Sequence, residues 1–269
     1  MIKYPNWINE AEELFKLGYS FTKIGESLNV NRKQISYYLK SKGYKPNHKN
    51  LPRTRVIQKT HKNINSNIFE KIDNEEKAYW LGFLYADGHV SEKNNRIELA
   101  LKEDDLNHII EFKSFMDSDH VIGKKIKKIG DKEYVSYRIG FSNIKIKNDL
   151  VKLGCTPNKT HTLKFPKLKK SLVRHFIRGY FDGDGCVRKG TTTKITIEIL
   201  GTDEFLKQMG NHFEVNNHIY SFKHSKIKRF VVSGEKAIRI LNYLYKDATI
   251  YLERKYHKYL ELAVSSQHL

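Results

Sequence analysis

Two aspartates, Asp87 and Asp184, each close the same pattern, a run of apolar and small residues that ends in Asp-Gly. The first run reads "AYWLGFLYADGHV" from Ala78 to Val90; its "FLYADGHV" recurs as "YFDGDGCV", and the two acids lie 97 positions apart. Within each run two small residues stand four apart, Gly82 and Ala86 in the first, Gly179 and Gly183 in the second. On a helix such a pair shares one stripe, and small side chains there let two helix backbones approach closely. The runs are expected to form helices packed on each other through Gly82, Ala86, Gly179 and Gly183, with Asp87 and Asp184 together at two helix C-termini. Partial negative charge already gathers there, and two carboxylates add to it. A hard divalent cation would offset that charge: Mg²⁺, or another such as Mn²⁺, held by the carboxylates of Asp87 and Asp184 and the carbonyls of Ala86 and Gly183. Phosphate oxygens of a bound duplex could complete the shell. An Asp-Gly turn closing a buried helix is the plain alternative for one copy, and the repetition of the same ending weighs against it.

The chemistry this implies is phosphodiester hydrolysis with an activated water, which needs no side-chain nucleophile. The sequence has no Gly-x-Ser-x-Gly and no Gly-x-x-x-x-Gly-Lys-Ser/Thr, and its twelve histidines show no zinc spacing. Only Cys155 and Cys186 occur, with no paired spacing, which fits a reducing cytosol. The N-terminus carries acids where a signal peptide has its apolar core, and no apolar run approaches the roughly twenty residues that span a bilayer, so neither export nor a membrane is expected.

The charge balance names a partner class. Forty-nine Lys and Arg against thirty Asp and Glu leave +19 on 269 residues, a field that draws polyanions over long range. Nucleic acid leads; a ribosome-bound protein, a membrane-surface binder or a Lys/Asn-rich compositional drift would carry the same signature.

Three kinds of element must position these groups. From Asn9 to Gly43 apolar residues fall at helical spacing in three short segments separated by "LGYS" and "LNVN", the grammar of a helix-turn-helix. Leu14 and Leu17 would face Ile24 and Leu28, Asn29 would take the left-handed turn, and Ile35, Tyr38 and Leu39 would pack inward. The outer face of the third helix then offers Arg32, Lys33, Gln34 and Tyr37 to bases and phosphates, with a solvated three-helix module as the alternative. A basic stretch without acids follows, "GYKPNHKNLPRTRVIQKTHKNINSN", read as a linker whose Arg53 and Arg55 could follow the DNA backbone or minor groove. The rest is an internal repeat: "IELALKEDDL" echoes in "ITIEILGTDEF", and "GFSNIKIKNDLVKLG" parallels "VVSGEKAIRILNYLY". Each half reads helix, two strands, helix, two strands, helix. The fold class is α+β: an all-α helix-turn-helix at 1–44, a linker at 45–70, and αββαββα repeats at 71–168 and 169–269. One face of each sheet would be apolar and the other cationic, offering Arg96, Lys124, Lys127, Arg138, Lys194, Lys223, Lys226, Lys228 and Arg229 to DNA.

"WLGFLYADG" at Trp80 to Gly88 and "IRGYFDGDG" at Ile177 to Gly185 resemble the nine-residue motif of the LAGLIDADG homing endonucleases. The resemblance covers about Glu75 to the end, and two copies in one chain resemble the monomeric members. It implies a saddle of two antiparallel sheets over double-stranded DNA, with the eighth-position acids Asp87 and Asp184 binding the catalytic metals. It also implies a basic residue near each metal; by the repeat these are Lys159 in "CTPNKTHTLKFP" and Lys255 in "ATIYLERKYHKY", for which a phosphate-contacting or solvated lysine is the alternative. The sixth motif position departs from the pattern: Asp182 in the second copy is Tyr85 in the first. The function implied is site-specific double-strand cleavage. A similar fold joined to a helix-turn-helix resembles certain bacterial transcription regulators that lack the acids, and an intron RNA maturase is a third reading.

Overall fold

The computed structural model describes residues 7–17, 19–45, 63–189, 195–213, 218–222 and 225–266. The chain divides into two compact units, Met1–Thr60 and His61–Leu269.

The first unit holds three helices: α1 (Ile8–Lys16), α2 (Phe21–Leu28) and α3 (Arg32–Ser41). Ser20 caps α2 by accepting from the Lys23 amide at 3.3 Å, and Asn31 caps α3 by accepting from the Lys33 amide at 2.9 Å. Between them Asn29 takes the left-handed conformation at φ 50°, where its short polar side chain is tolerated. The turn is so tight that a β-carbon at Gly25 would lie 2.8 Å from the Val30 carbonyl oxygen. Ala11, Phe21, Ile24, Ile35 and Leu39 form the core, with Leu14, Leu28 and Tyr38 packed around it. Leu17 does not join them. It lies past the end of α1 and is 74% exposed, and Phe15, 5.4 Å from Phe21 between ring centres, packs on this core in its place.

The second unit repeats one topology twice. Its first half runs α4 (Glu75–Ala86), β1 (Gly88–Val90), β2 (Arg96–Lys102), α5 (Leu106–Phe115), β3 (Gly123–Ile129), β4 (Lys132–Ser142) and α6 (Ile144–Lys152). Its second half runs α7 (Lys170–Asp184), β5 (Cys186–Lys189), β6 (Ile195–Thr202), α8 (Asp203–Gly210), β7 (His218–Ser221), β8 (Ile227–Ser233) and α9 (Glu235–Tyr245). Both sheets are antiparallel, ordered β1-β2-β4-β3 and β5-β6-β8-β7. Alternation sets their registers: Ile97 pairs with Phe141 and Leu99 with Ile139, as Ile197 pairs with Val232 and Ile199 with Phe230, all buried. A single apolar core runs through both halves.

Two features differ from the expected plan. Residues 63–70 were expected to continue the linker, but Phe69 is 1% exposed and the Asn65 amide donates to the Met116 carbonyl at 3.0 Å, so an apolar side chain ties this stretch into the fold. Beyond the second repeat a further helix, α10 (Glu253–Ser266), packs on α9 through Tyr256 and Tyr259, whose rings lie 5.8 and 5.4 Å from Tyr245. No helix of the described residues is long and apolar enough to cross a membrane.

The helices α4 and α7 make the tightest contact. A β-carbon at Gly82 would collide with the Phe176 carbonyl, and one at Gly179 with the Tyr79 carbonyl. Neither obstacle is a flexible side-chain tip; each is helix backbone. Gly179→Ala is expected to destabilise the protein by about 3 kcal/mol or more, measured by urea unfolding, and a loss below 1 kcal/mol would show that the helices can slide apart.

Candidate active site at the crossing of two helices

Every residue of α4 from Ala78 to Tyr85 is buried, as a helix that is apolar all round must be when it is surrounded on all sides. Its last turn and that of α7 emerge side by side: Ala86 abuts Gly183, and a β-carbon at Gly183 would lie 3.2 Å from Asp87 Oδ2. Gly82, Ala86, Gly179 and Gly183 thus share the crossing, and Asp87 reaches over toward the end of the other helix.

The electrostatics follow from this crowding. Asp87 and Asp184 are exposed to solvent, yet protein packed behind them makes ionisation costly. Desolvation first, and then the charge of Asp184, push the Asp87 carboxyl up from 3.8 to about 6, against the pull of Lys255 and Arg254. Asp184 is raised too, by desolvation, against Lys255, Lys159 and the Tyr180 hydroxyl.

Both sequence-predicted lysines lie at these helix ends. Lys255, 6% exposed, donates from Nζ to the carbonyls of Phe181 at 2.6 Å, Gly183 at 3.3 Å and Gly185. Lys159 Nζ donates to the Gly88 carbonyl, the counterpart of Gly185, and its side chain is half-buried. An ammonium at a helix C-terminus satisfies carbonyls that have no helical partner and opposes the dipole. Burial lowers the Lys255 ammonium from 10.5 to about 8, although Asp182, Asp87 and Asp184 favour its charge. The Gly183 carbonyl, expected among the metal ligands, therefore already faces a cation of the chain itself.

The inner positions of the motif helices carry buried polar groups whose partners the sequence does not indicate. Asp182 is fully buried and accepts from the Tyr79 hydroxyl at 2.7 Å, the Leu252 amide at 2.7 Å and the Tyr245 hydroxyl. Its counterpart Tyr85 donates to the Leu153 carbonyl, so both sixth positions anchor the motif helix to the end of the last helix of its half, α6 or α9, or to the segment beyond it, by opposite hydrogen-bonding polarity. Arg178, where the first copy has Leu81, is also fully buried: it donates to the carbonyls of Leu244 and Ile250 at 3.0 and 2.9 Å and to Glu75 at 2.6 Å. The signal available was two charged residues one turn apart at inward positions of a motif helix.

The expected DNA-facing residues fall into groups. On α3, Gln34 and Tyr37 are exposed while Arg32 and Lys33 are half-buried. On the sheets Lys127 and Arg138 are exposed; Lys226, expected on a sheet face, is exposed in the connection just before β8. The face is not purely cationic, because acids alternate with the bases: Arg96 meets Glu98 at 2.5 Å, Arg229 meets Glu198 at 3.3 Å and Lys124 meets Glu103 at 3.8 Å. Lys228 donates to Ser221 at 2.9 Å. Arg53, Arg55, Lys194 and Lys223 lie outside the described residues.

Among the described residues no group of three or more His, Cys, Asp or Glu could hold a metal ion. The donor set at the crossing is two carboxylates that resist joint ionisation. It is all oxygen and under-neutralised, so the residues fit a hard cation such as Mg²⁺ or Mn²⁺ that keeps positions for water and phosphate.

Residues 171–245 match the family model described as a LAGLIDADG-like domain, so the second repeat carries that domain. Two curated proteins of Methanocaldococcus jannaschii are similar in part: the replication factor C small subunit, 29% identical over 133 residues, and a probable translation initiation factor IF-2, 31% identical over 169. The matches take in 45% and 56% of this chain but only 7% and 13% of those proteins. Among solved structures, full-length DUF199/WhiA from Thermatoga maritima is similar at 13% identity and TM-score 0.45, covering 75% of this chain and 64% of that one. The I-LtrWI LAGLIDADG homing endonuclease bound to target DNA is similar at 15% identity and TM-score 0.46, covering 74% and 90%.

A carboxyl whose folded value exceeds its unfolded one makes its full contribution to stability below the unfolded value and loses it as pH rises through the folded value. For Asp87 that window runs from 3.8 to about 6. In EDTA, Asp87→Asn is expected to melt a few degrees above the unaltered protein at pH 7.5 and level with it near pH 4. Excess Mg²⁺ should close the gap at pH 7.5 by raising the melting temperature of the unaltered protein alone. A gap that does not change with pH would contradict the electrostatics described here.

Proposed function

We propose that this chain, built around a LAGLIDADG-like domain, is a site-specific double-strand DNA endonuclease of the homing type that hydrolyses one phosphodiester in each strand. The observation that carries the reading is the meeting of Asp87 and Asp184 at the α4/α7 crossing, accessible to solvent and raised in proton affinity by desolvation. A purely structural turn gains nothing from two such acids, because an amide would hold it at less electrostatic cost.

A divalent ion bound between the carboxylates would supply Lewis-acid stabilisation of the phosphate charge and make water more acidic. The chain's own residues do the rest. Asp87, ionised above about pH 6, and Asp184, also raised by desolvation, would hold the cation. Lys255 and Lys159 place ammonium charge beside the helix ends and support the negative charge that grows on the phosphate. Lys159, half-buried, keeps N–H groups available for a phosphate oxygen. The outward sheet residues Lys127 and Arg138 and the loop residue Lys226, with Arg96, Arg229, Lys124 and Lys228, would track the duplex, as would Arg32, Lys33, Gln34 and Tyr37 of a helix-turn-helix. Both acids belong to one chain, so a monomer suffices. A non-cleaving DNA-binding regulator would share the surface without needing the acids.

In a plasmid assay with Mg²⁺ against EDTA, cutting is expected only with the metal, and Asp87→Asn or Asp184→Asn should reduce it at least roughly a thousandfold while DNA affinity stays within about threefold. Undiminished cutting by both variants would remove the acids from the reaction, and metal-independent binding without cleavage would favour the regulator. Affinity should also fall steeply with salt, since many phosphates are neutralised.

A further inference from the structure

The two halves place different chemistry at matching positions. His108, Tyr79 and Asp182 form a buried polar chain: His108 Nε2 lies 3.0 Å from the Tyr79 hydroxyl, which donates to Asp182 at 2.7 Å. Its outer end is Glu111, 3.2 Å from His108 Nδ1. Their counterparts, each 97 positions away, are Phe205, Phe176 and Tyr85. These form an aromatic cluster, with Phe176 5.0 Å from Tyr85 and 6.4 Å from Phe205 between ring centres, and without a hydrogen-bonded link of this kind among the described residues.

The polar chain ends on one lysine only. Asp182 accepts from the Leu252 amide, and the Leu252 carbonyl accepts from the amides of Lys255 and Tyr256 at 3.0 and 3.1 Å, opening α10. Lys255 then reaches three carbonyls at the end of α7, where Lys159 reaches the single Gly88 carbonyl. A tyrosine has one proton to give. Tyr79 gives that proton to Asp182, so its oxygen is left to accept from His108 Nε2–H, while a further proton lies between His108 Nδ1 and Glu111; the Asp182 carboxylate then has three donors to fix its orientation.

We infer that Tyr79 and His108 are positioning residues for one half of the site, holding Asp182 and through it the Leu252–Lys255 segment, so that the two strand cuts depend on different parts of the protein. This rests on the nuclease reading. Tyr79 belongs to the first repeat but serves the lysine of the second, because the helix crossing carries its hydroxyl across the boundary. Phenylalanine is compatible with the fold at this position, as Phe176 shows in the other half.

The test compares Tyr79→Phe and His108→Phe with the unaltered protein on a duplex with each strand labelled separately. Tyr79→Phe is expected to slow one strand about tenfold or more, the same strand that Lys255→Met slows most, and to leave the other within about twofold; His108→Phe should act on the same strand. Amide hydrogen exchange without metal or DNA provides a readout independent of cleavage. The Leu252 amide should lose about tenfold in protection in Tyr79→Phe, while the Cys155 amide, bonded to the Leu150 carbonyl at 2.8 Å, keeps its own. Equal slowing of both strands, or unchanged exchange at Leu252, overturns the inference. If the unaltered protein cuts no DNA, the nuclease reading has failed and exchange at Leu252 alone decides the positioning role.

Discussion

Everything else in the second unit depends on the contact between the backbones of α4 and α7. Gly82 lies against the Phe176 carbonyl and Gly179 against the Tyr79 carbonyl, a reciprocal arrangement in which each helix fills the notch of the other. A side chain at either glycine would force the axes apart. Two consequences follow from that closeness: a single core continues through both repeats, and the ends of both helices are brought to one place.

Convergence of two helix C-termini creates an electrostatic problem that the chain answers in part with cations, of which Lys255 is buried. The dipoles, the free carbonyls and the carboxylates of Asp87 and Asp184 are all negative. Lys255 and Lys159 answer the carbonyls directly, and Arg254 adds to the positive field at Asp87 while bonding to Asp105 at 3.0 Å. The acids nevertheless remain raised, so the protein's own charges do not fully compensate them. That residue of uncompensated charge is what a hard cation would meet.

The repeat preserves the frame and varies the filling. Strand order, glycine notches and terminal acids agree between the halves. The inner faces of the helices do not: Arg178 stands for Leu81, Asp182 for Tyr85, and Tyr79 and His108 face Phe176 and Phe205 across the pseudo-symmetry. Burying Arg178 and Asp182 is tolerable because each is saturated with partners, the guanidinium by two carbonyls and Glu75, the carboxylate by three donors. Apart from Glu75 and Tyr79 on α4, their partners lie in 244–252, the segment that leads to Lys255, so buried polarity is concentrated where that segment has to be held.

The sequence by itself determined the repeated architecture, because hydrophobic period and small-residue spacing are local and recur along the chain. The Asp-Gly endings, the stripes at Gly82 and Gly179, the left-handed Asn29 and the alternation in β2 and β6 could all be read within about ten residues. Locality also explains the misreadings: Leu17 matched a helical pattern but lies beyond the helix end, and Phe69 sits in a stretch whose composition resembles a linker. Only the tertiary structure decided that Tyr79 bonds to Asp182, 103 positions away, that Arg178 is buried rather than solvated, and that Lys255 is spent on three carbonyls while Lys159 is not. A hydrogen bond needs its partners placed within a few tenths of an ångström, and that placement is set by the helix crossing, which no window of the sequence contains.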